Sequence, residues 1–76
     1  MNRNTCIKIA DEISEQLISL CNDKMTQEKT IIELYNELLE PKHQEYYHDI
    51  LSYIPERLAV KGYEIVNSNY FELKKY

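Results

Sequence analysis

Seventy-six residues leave room for one domain around one hydrophobic core, spanning 1–76, because cores divide and linkers appear only in much longer chains. Two cysteines are too few for a disulfide framework, and no charged-then-apolar leader opens the chain, which points to a soluble, cytoplasmic protein in a reducing compartment. The net charge of −4 is unevenly placed: residues 10–49 carry ten acids against three bases, while the first nine residues and the last 27 are slightly basic. That distribution speaks against a general attraction to nucleic acid or to an anionic membrane.

Cys6, Ile9, Ala10, Ile13, Leu17, Leu20 and Cys21 recur at steps of three and four, which predicts a first helix from Thr5 to Asn22 with Thr5 as its N-cap. Ile31, Leu34, Tyr35 and Leu38 repeat the step in a second helix, Gln27 to Leu39, capped by Thr26 and stopped by Pro41. A third runs from Lys42 to Tyr53. Pro55 then breaks it or opens a short fourth helix over Glu56 to Lys61, since proline fits a first helical turn.

Gly62, the only glycine, follows Lys61 and reads as a left-handed helix cap. Beyond it, Tyr63 to Val66 and Tyr70 to Leu73 are rich in β-branched and aromatic residues around the turn formers Asn67, Ser68 and Asn69. The expected fold is therefore α+β and mainly helical, with three to four short helices followed by a C-terminal β-hairpin over about 63–74.

Little in the chain suggests catalysis. Cys6 and Cys21 share an apolar stripe but lie fifteen residues apart, so they read as core residues. His43 and His48 are five apart, whereas two histidines binding one metal from a helix want three or four. Glu40, Glu45 and Asp49 could add oxygen ligands, yet no calcium-binding loop surrounds them. A single glycine makes an oxyanion site or a phosphate-cradling loop hard to build. The expectation is a non-enzyme without metal or cofactor.

Two features suggest protein binding instead. Asp11 with Glu15, Glu33 with Glu37, and Glu45 with Asp49 place like charges at helical i,i+4 spacing, where repulsion costs about 0.2–0.5 kcal/mol per pair. Lys8, Lys29 and Lys42, one turn from Glu12, Glu33 and Glu45, are expected to relieve part of it. Seven tyrosines against one phenylalanine and no tryptophan favour half-exposed aromatic positions of the kind found at interfaces. Tyr46 and Tyr47, as helix neighbours, cannot both face the core, so one of them is expected at the surface.

In composition, short, acidic and rich in asparagine, isoleucine and tyrosine, the chain is similar to the small proteins with which phages disable host or defence proteins. The likeness involves no residue motif. It implies an inhibitor or adaptor acting on a nucleic-acid-handling protein such as a sliding clamp or a CRISPR effector, with Asp11, Glu15, Glu33, Glu37, Glu45, Asp49, Tyr46 and Tyr47 as contact residues. Carboxylates about 6 Å apart on a helix match the ~3.4 Å phosphate spacing of a DNA strand only loosely, so any mimicry of a nucleic-acid backbone is approximate. The alternative is a winged-helix DNA-binding regulator, with Lys61, Lys74 and Lys75 flanking the wing. Its third helix, however, offers one lysine beside Glu45 and Asp49. A small core with many tyrosines also predicts self-association, most simply as a homodimer.

Overall fold

The computed structural model describes residues 2–21, 28–66 and 71–76. Helix α1 spans Arg3–Leu20 and begins two residues earlier than Thr5 suggests. Asn2 is the cap: its side-chain oxygen accepts from the Thr5 N–H at 2.9 Å and from the Thr5 hydroxyl at 3.0 Å. Asparagine is at least as good a cap as threonine, and starting at Asn2 satisfies one orphan donor of the first turn. Cys6, Ile9, Ala10, Ile13, Ser14 and Leu17 form the buried face. Ser14, the polar member, donates its hydroxyl to the Ala10 carbonyl at 2.7 Å and so enters the core satisfied. Cys6 is buried as expected, while Cys21 at the helix end is only half-buried, and both are free thiols.

Helix α2, Ile31–Leu38, starts later than the expected Gln27 and is capped by Thr30; Thr26, the expected cap, lies outside the described residues. The Thr30 hydroxyl accepts from the Glu33 N–H at 3.1 Å, and Thr30-Ile31-Ile32-Glu33 has the spacing of a capping box. Its Leu34 and Tyr35, with Leu39 just beyond, are buried. Glu40, extended before Pro41, ends the helical path.

Pro41–Tyr46 form a 3-10 helix, and α3 follows as one uninterrupted element, Tyr47–Val60. This replaces the expected third helix from Lys42 and separate fourth helix after Pro55. Pro55 lies inside α3 on its exposed side. An interior proline costs about 3 kcal/mol or more. Ile54 and Leu58, on the side of the helix turned to the core, are almost fully buried, and full burial of each contributes about 1.5–3 kcal/mol. Ending the helix at Pro55 would forfeit the Leu58 contact, so its burial offsets much of the cost of the break.

Gly62 has φ +90° and donates its N–H to the Ala59 carbonyl at 3.0 Å, the left-handed turn expected of it. The chain leaves α3 into β1, Tyr63–Ile65, which pairs antiparallel with β2, Leu73–Lys75. The second strand was expected at Tyr70 to Leu73; it is displaced toward the C-terminus, and Asn67, Ser68, Asn69 and Tyr70 fall outside the described residues. The displacement frees Phe71 to bury itself, 2% exposed, in the core between helices and hairpin. Burying the chain's one phenylalanine decides the register.

The most extensive interface joins α1 to α3, with β1 packed on α3 and α2 on α1. No described helix is long and apolar enough to cross a membrane. Tyr35 is fully buried beneath the start of α3, where its hydroxyl donates to the Tyr47 carbonyl at 2.7 Å. Burial, reinforced by Tyr47 and Cys6, pushes its phenol up to about 12.

Two predictions follow from this core. Leu17, with no solvent exposure, should cost about 2–5 kcal/mol when replaced by alanine, and thermal melting reads the loss. A phenol raised in the folded state stabilises fully below its unfolded value of 10.0 and progressively less as pH rises toward 12. Tyr35→Phe should therefore melt lower than the parent at pH 8 by the worth of one hydrogen bond, about 0.5–1.5 kcal/mol, and the difference should narrow above pH 10.

Candidate protein-binding surface

The six acids and two tyrosines singled out in the sequence do not form one surface. Asp11, half-buried, and Glu15, exposed, sit on the rim of the seam between α1 and α3. Arg57 Nε lies 3.0 Å from Asp11 Oδ1, and Lys61 Nζ lies 3.2 Å from both Asp11 Oδ2 and Glu15 Oε1. Arg57 and Lys61 are 46 and 50 residues from Asp11 in sequence, so helical spacing gave no sign of these pairs. Burial pushes the Asp11 carboxyl up, but hydrogen bonds and positive charge from Arg57 and Lys61 outweigh it and hold the group below its ordinary value. Lys61 is raised in turn, first by its hydrogen bonds to Asp11 and Glu15. The like-charge repulsion expected between Asp11 and Glu15 is thus absorbed by two cations from α3.

Glu33 and Glu37 are also occupied locally. Glu33 sits in the first turn of α2 beside the Thr30 hydroxyl, where a carboxylate meets the positive end of the helix dipole. Glu37 pairs with Lys29, not the expected Glu33–Lys29 pair, because Lys29 precedes the helix and is not at a helical i,i+4 position. Lys42 likewise turns to Glu40, at 3.2 Å, instead of to Glu45, since it belongs to the 3-10 helix.

Glu45 and Asp49 differ. Both are exposed and neither has an ion pair among the described residues. Asp49 stands in the first turn of α3, and Glu56, seven residues on, falls on the same side two turns later. Ser52 lies between them and donates its hydroxyl to the Asp49 carbonyl at 2.7 Å. The outward residues of α3, namely His48, Asp49, Ser52, Pro55, Glu56, Ala59 and Val60, include no lysine or arginine. Glu56 escaped the sequence reading because Pro55 appeared to divide the helix; its i,i+7 relation to Asp49 was the available signal.

Tyr46 and Tyr47 are both half-buried against the core, so neither is the freely exposed aromatic that helical geometry predicted. They straddle the change from 3-10 to α geometry, where Tyr46 takes φ −109° and ψ 24°, and the 100° step between helix neighbours no longer applies. The Tyr47 ring meets Tyr35 edge-on at 5.0 Å and His48 at 5.1 Å. It helps to seat α2 on α3 and leaves only part of its surface for a partner.

His43 and His48 lie on different elements, and no group of three or more metal-ligating side chains gathers among the described residues. A shallow groove runs over Ile9 and Ile13 between Glu12, Gln16, Glu40 and His43. Its volume of about 50 Å³ suits one or two waters. On the basic side, Lys61 is spent on Asp11 and Glu15, and Lys74 faces Glu64 across the hairpin.

No family model, no curated protein and no solved structure matches this chain.

The Asp11 network makes a test of the seam. A carboxyl lowered in the folded state stabilises above its unfolded value of 3.8, and the contribution fades as pH falls through the lowered folded value. Asp11→Asn should melt below the parent at pH 7, and the two should converge as pH is taken well under 3.8. A gap that persists in strong acid would mean that packing, and not charge, links the helices here.

Proposed function

We propose that this protein is a non-catalytic binding module, an inhibitor or adaptor, whose acidic helical surface docks on a basic surface of a nucleic-acid-handling protein. The observation that carries this reading is the exposed carboxylates of Asp49 and Glu56 on the outward side of α3 and of Glu45 in the 3-10 helix before it, none with a basic partner among the described residues. Elsewhere Asp11, Glu15 and Glu37 are neutralised by Arg57, Lys61 and Lys29. Carboxylates left in water while their neighbours are paired keep their field for an incoming cationic surface, and such a field steers association and selects partners. The compositional likeness to phage inhibitors supports the choice of a clamp or CRISPR effector as the partner class. Tyr46 and Tyr47 lend partial aromatic surface at the start of α3, and a homodimer remains part of the same proposal.

A winged-helix regulator has one observation in its favour, the order of three helices and a hairpin. The outward side of α3, which would have to lie in a DNA groove, carries Asp49 and Glu56 and would be repelled by phosphate.

Affinity capture from the native host followed by mass spectrometry identifies the partner, and a gel shift on random duplex DNA tests the regulator. Glu45→Gln, Asp49→Asn and Glu56→Gln together should leave the fold intact and weaken the partner complex by about tenfold at low salt, with a smaller loss at high salt. Equal affinities of parent and variant at low salt, or salt-sensitive DNA binding by the parent, would count decisively against the proposal.

A further inference from the structure

In an antiparallel pair, alternate residues direct their N–H and C=O groups at the partner strand, and the residues between direct theirs away. The register sets Tyr63 opposite Lys75, Glu64 opposite Lys74 and Ile65 opposite Leu73. Val66 donates its N–H to the Glu72 carbonyl at 3.1 Å and Tyr76 donates to the Gly62 carbonyl at 2.8 Å, so the even-numbered positions form the ladder. Leu73 and Lys75 therefore turn their backbone groups outward from β2. Phe71 has the same parity, and its N–H leaves the hairpin to meet the Lys29 carbonyl at 2.6 Å. The outer edge of β2 thus already holds one backbone partner at Phe71, while the next two steps, at Leu73 and Lys75, have none among the described residues.

We infer that this edge, Leu73 to Lys75, accepts an extended acidic segment of a partner protein as an added strand. Strand addition uses main-chain hydrogen bonds for affinity and alternate side chains for selection. Selection here comes from Lys74 and Lys75, which are exposed and, as sequence neighbours on a strand, project to opposite faces. A second copy pairing antiparallel through the same edge about its centre would bring the two Lys74 side chains face to face, and like charges directly opposite are destabilising. Lysines on a short edge strand commonly guard against such self-pairing. The same charges favour an incoming strand with consecutive carboxylates, one on each face. Lys75 is the stronger anchor, because it stands across from Tyr63 whereas Lys74 is already opposite Glu64. This edge lies on a different element from the acidic side of α3 and is independent of it.

The test titrates the full ¹⁵N-labelled chain with the capped peptide Thr-Val-Glu-Glu-Val-Thr, and with a counterpart carrying two lysines in place of the glutamates. The acidic peptide should shift the amides of residues 71–76 and slow hydrogen exchange at Leu73 and Lys75; the basic one should do neither. Lys75→Pro removes an outward N–H that the β1 ladder does not use, so the hairpin should persist while peptide affinity falls about tenfold. Lys75→Gln keeps that N–H and should lose only a few-fold. If Lys75→Pro unfolds, N-methylation of the peptide backbone asks the same question from the other side and should abolish the exchange protection. The inference is overturned by silence at Leu73 and Lys75 with millimolar acidic peptide, by equal binding of the basic peptide, or by equal losses in the two Lys75 variants. It is also overturned if both amides become protected without peptide as protein concentration rises, which would assign the edge to a second copy.

Discussion

Leu17 on α1 and Ile50, Ile54 and Leu58 on α3 lose essentially all contact with solvent where the two helices meet, and the other elements are arranged around that seam. In a chain this short a single core leaves only about 3–5 kcal/mol of net stability, so the loss of one such side chain is comparable with the whole margin. The seam explains why α3 runs through Pro55, since an early end would withdraw Leu58 from the core. It also explains the placement of Arg57 and Lys61. Once Leu58 is turned inward, these residues of the last turn reach the rim and meet Asp11 and Glu15.

From that seam the remaining contacts follow in order. Gly62 turns the chain back, β1 lies along α3, and the hairpin carries Phe71 under the helices. The Phe71 N–H then bonds to Lys29, just before the Thr30 cap of α2, so the hairpin and the start of α2 are tied through one backbone contact. Tyr35 completes the assembly by joining α2 to the first turn of α3 through its hydroxyl and the Tyr47 ring.

The same packing sorts the charges. An acid on the rim of a helix interface finds a cation from the neighbouring helix, while an acid on the far side of α3 meets only water. Seven excess negative charges over residues 10–49 therefore do not become one continuous acidic face. Part is consumed at the rim of the α1–α3 seam and in the pairs of Glu37 with Lys29 and Glu40 with Lys42, while Glu45, Asp49 and Glu56 stay exposed without an ion pair among the described residues. The hairpin contributes the contrasting surface, a short edge with two lysines.

The helical stripes were legible in the sequence because each is a local pattern. Ile9, Ile13 and Leu17, or Leu34 and Tyr35, betray their burial through spacing alone, and Gly62 betrays its turn because only glycine takes φ +90° without strain. The Thr30 cap was missed, because Thr26 offers a cap for a helix from Gln27, although Thr30-x-x-Glu33 carries the capping-box spacing. What remained hidden depended on residues far apart in the chain. Nothing local to Asp11 announces Arg57, nothing local to Pro55 reveals that Leu58 is needed in the core, and the register of β2 is settled by the burial of Phe71 beneath helices that precede it by tens of residues. Periodicity is set by the geometry of one element and can be read along the chain. Which acids are neutralised, which proline is overridden and which register the strands take are set by contacts between elements, and those exist only once the chain has folded.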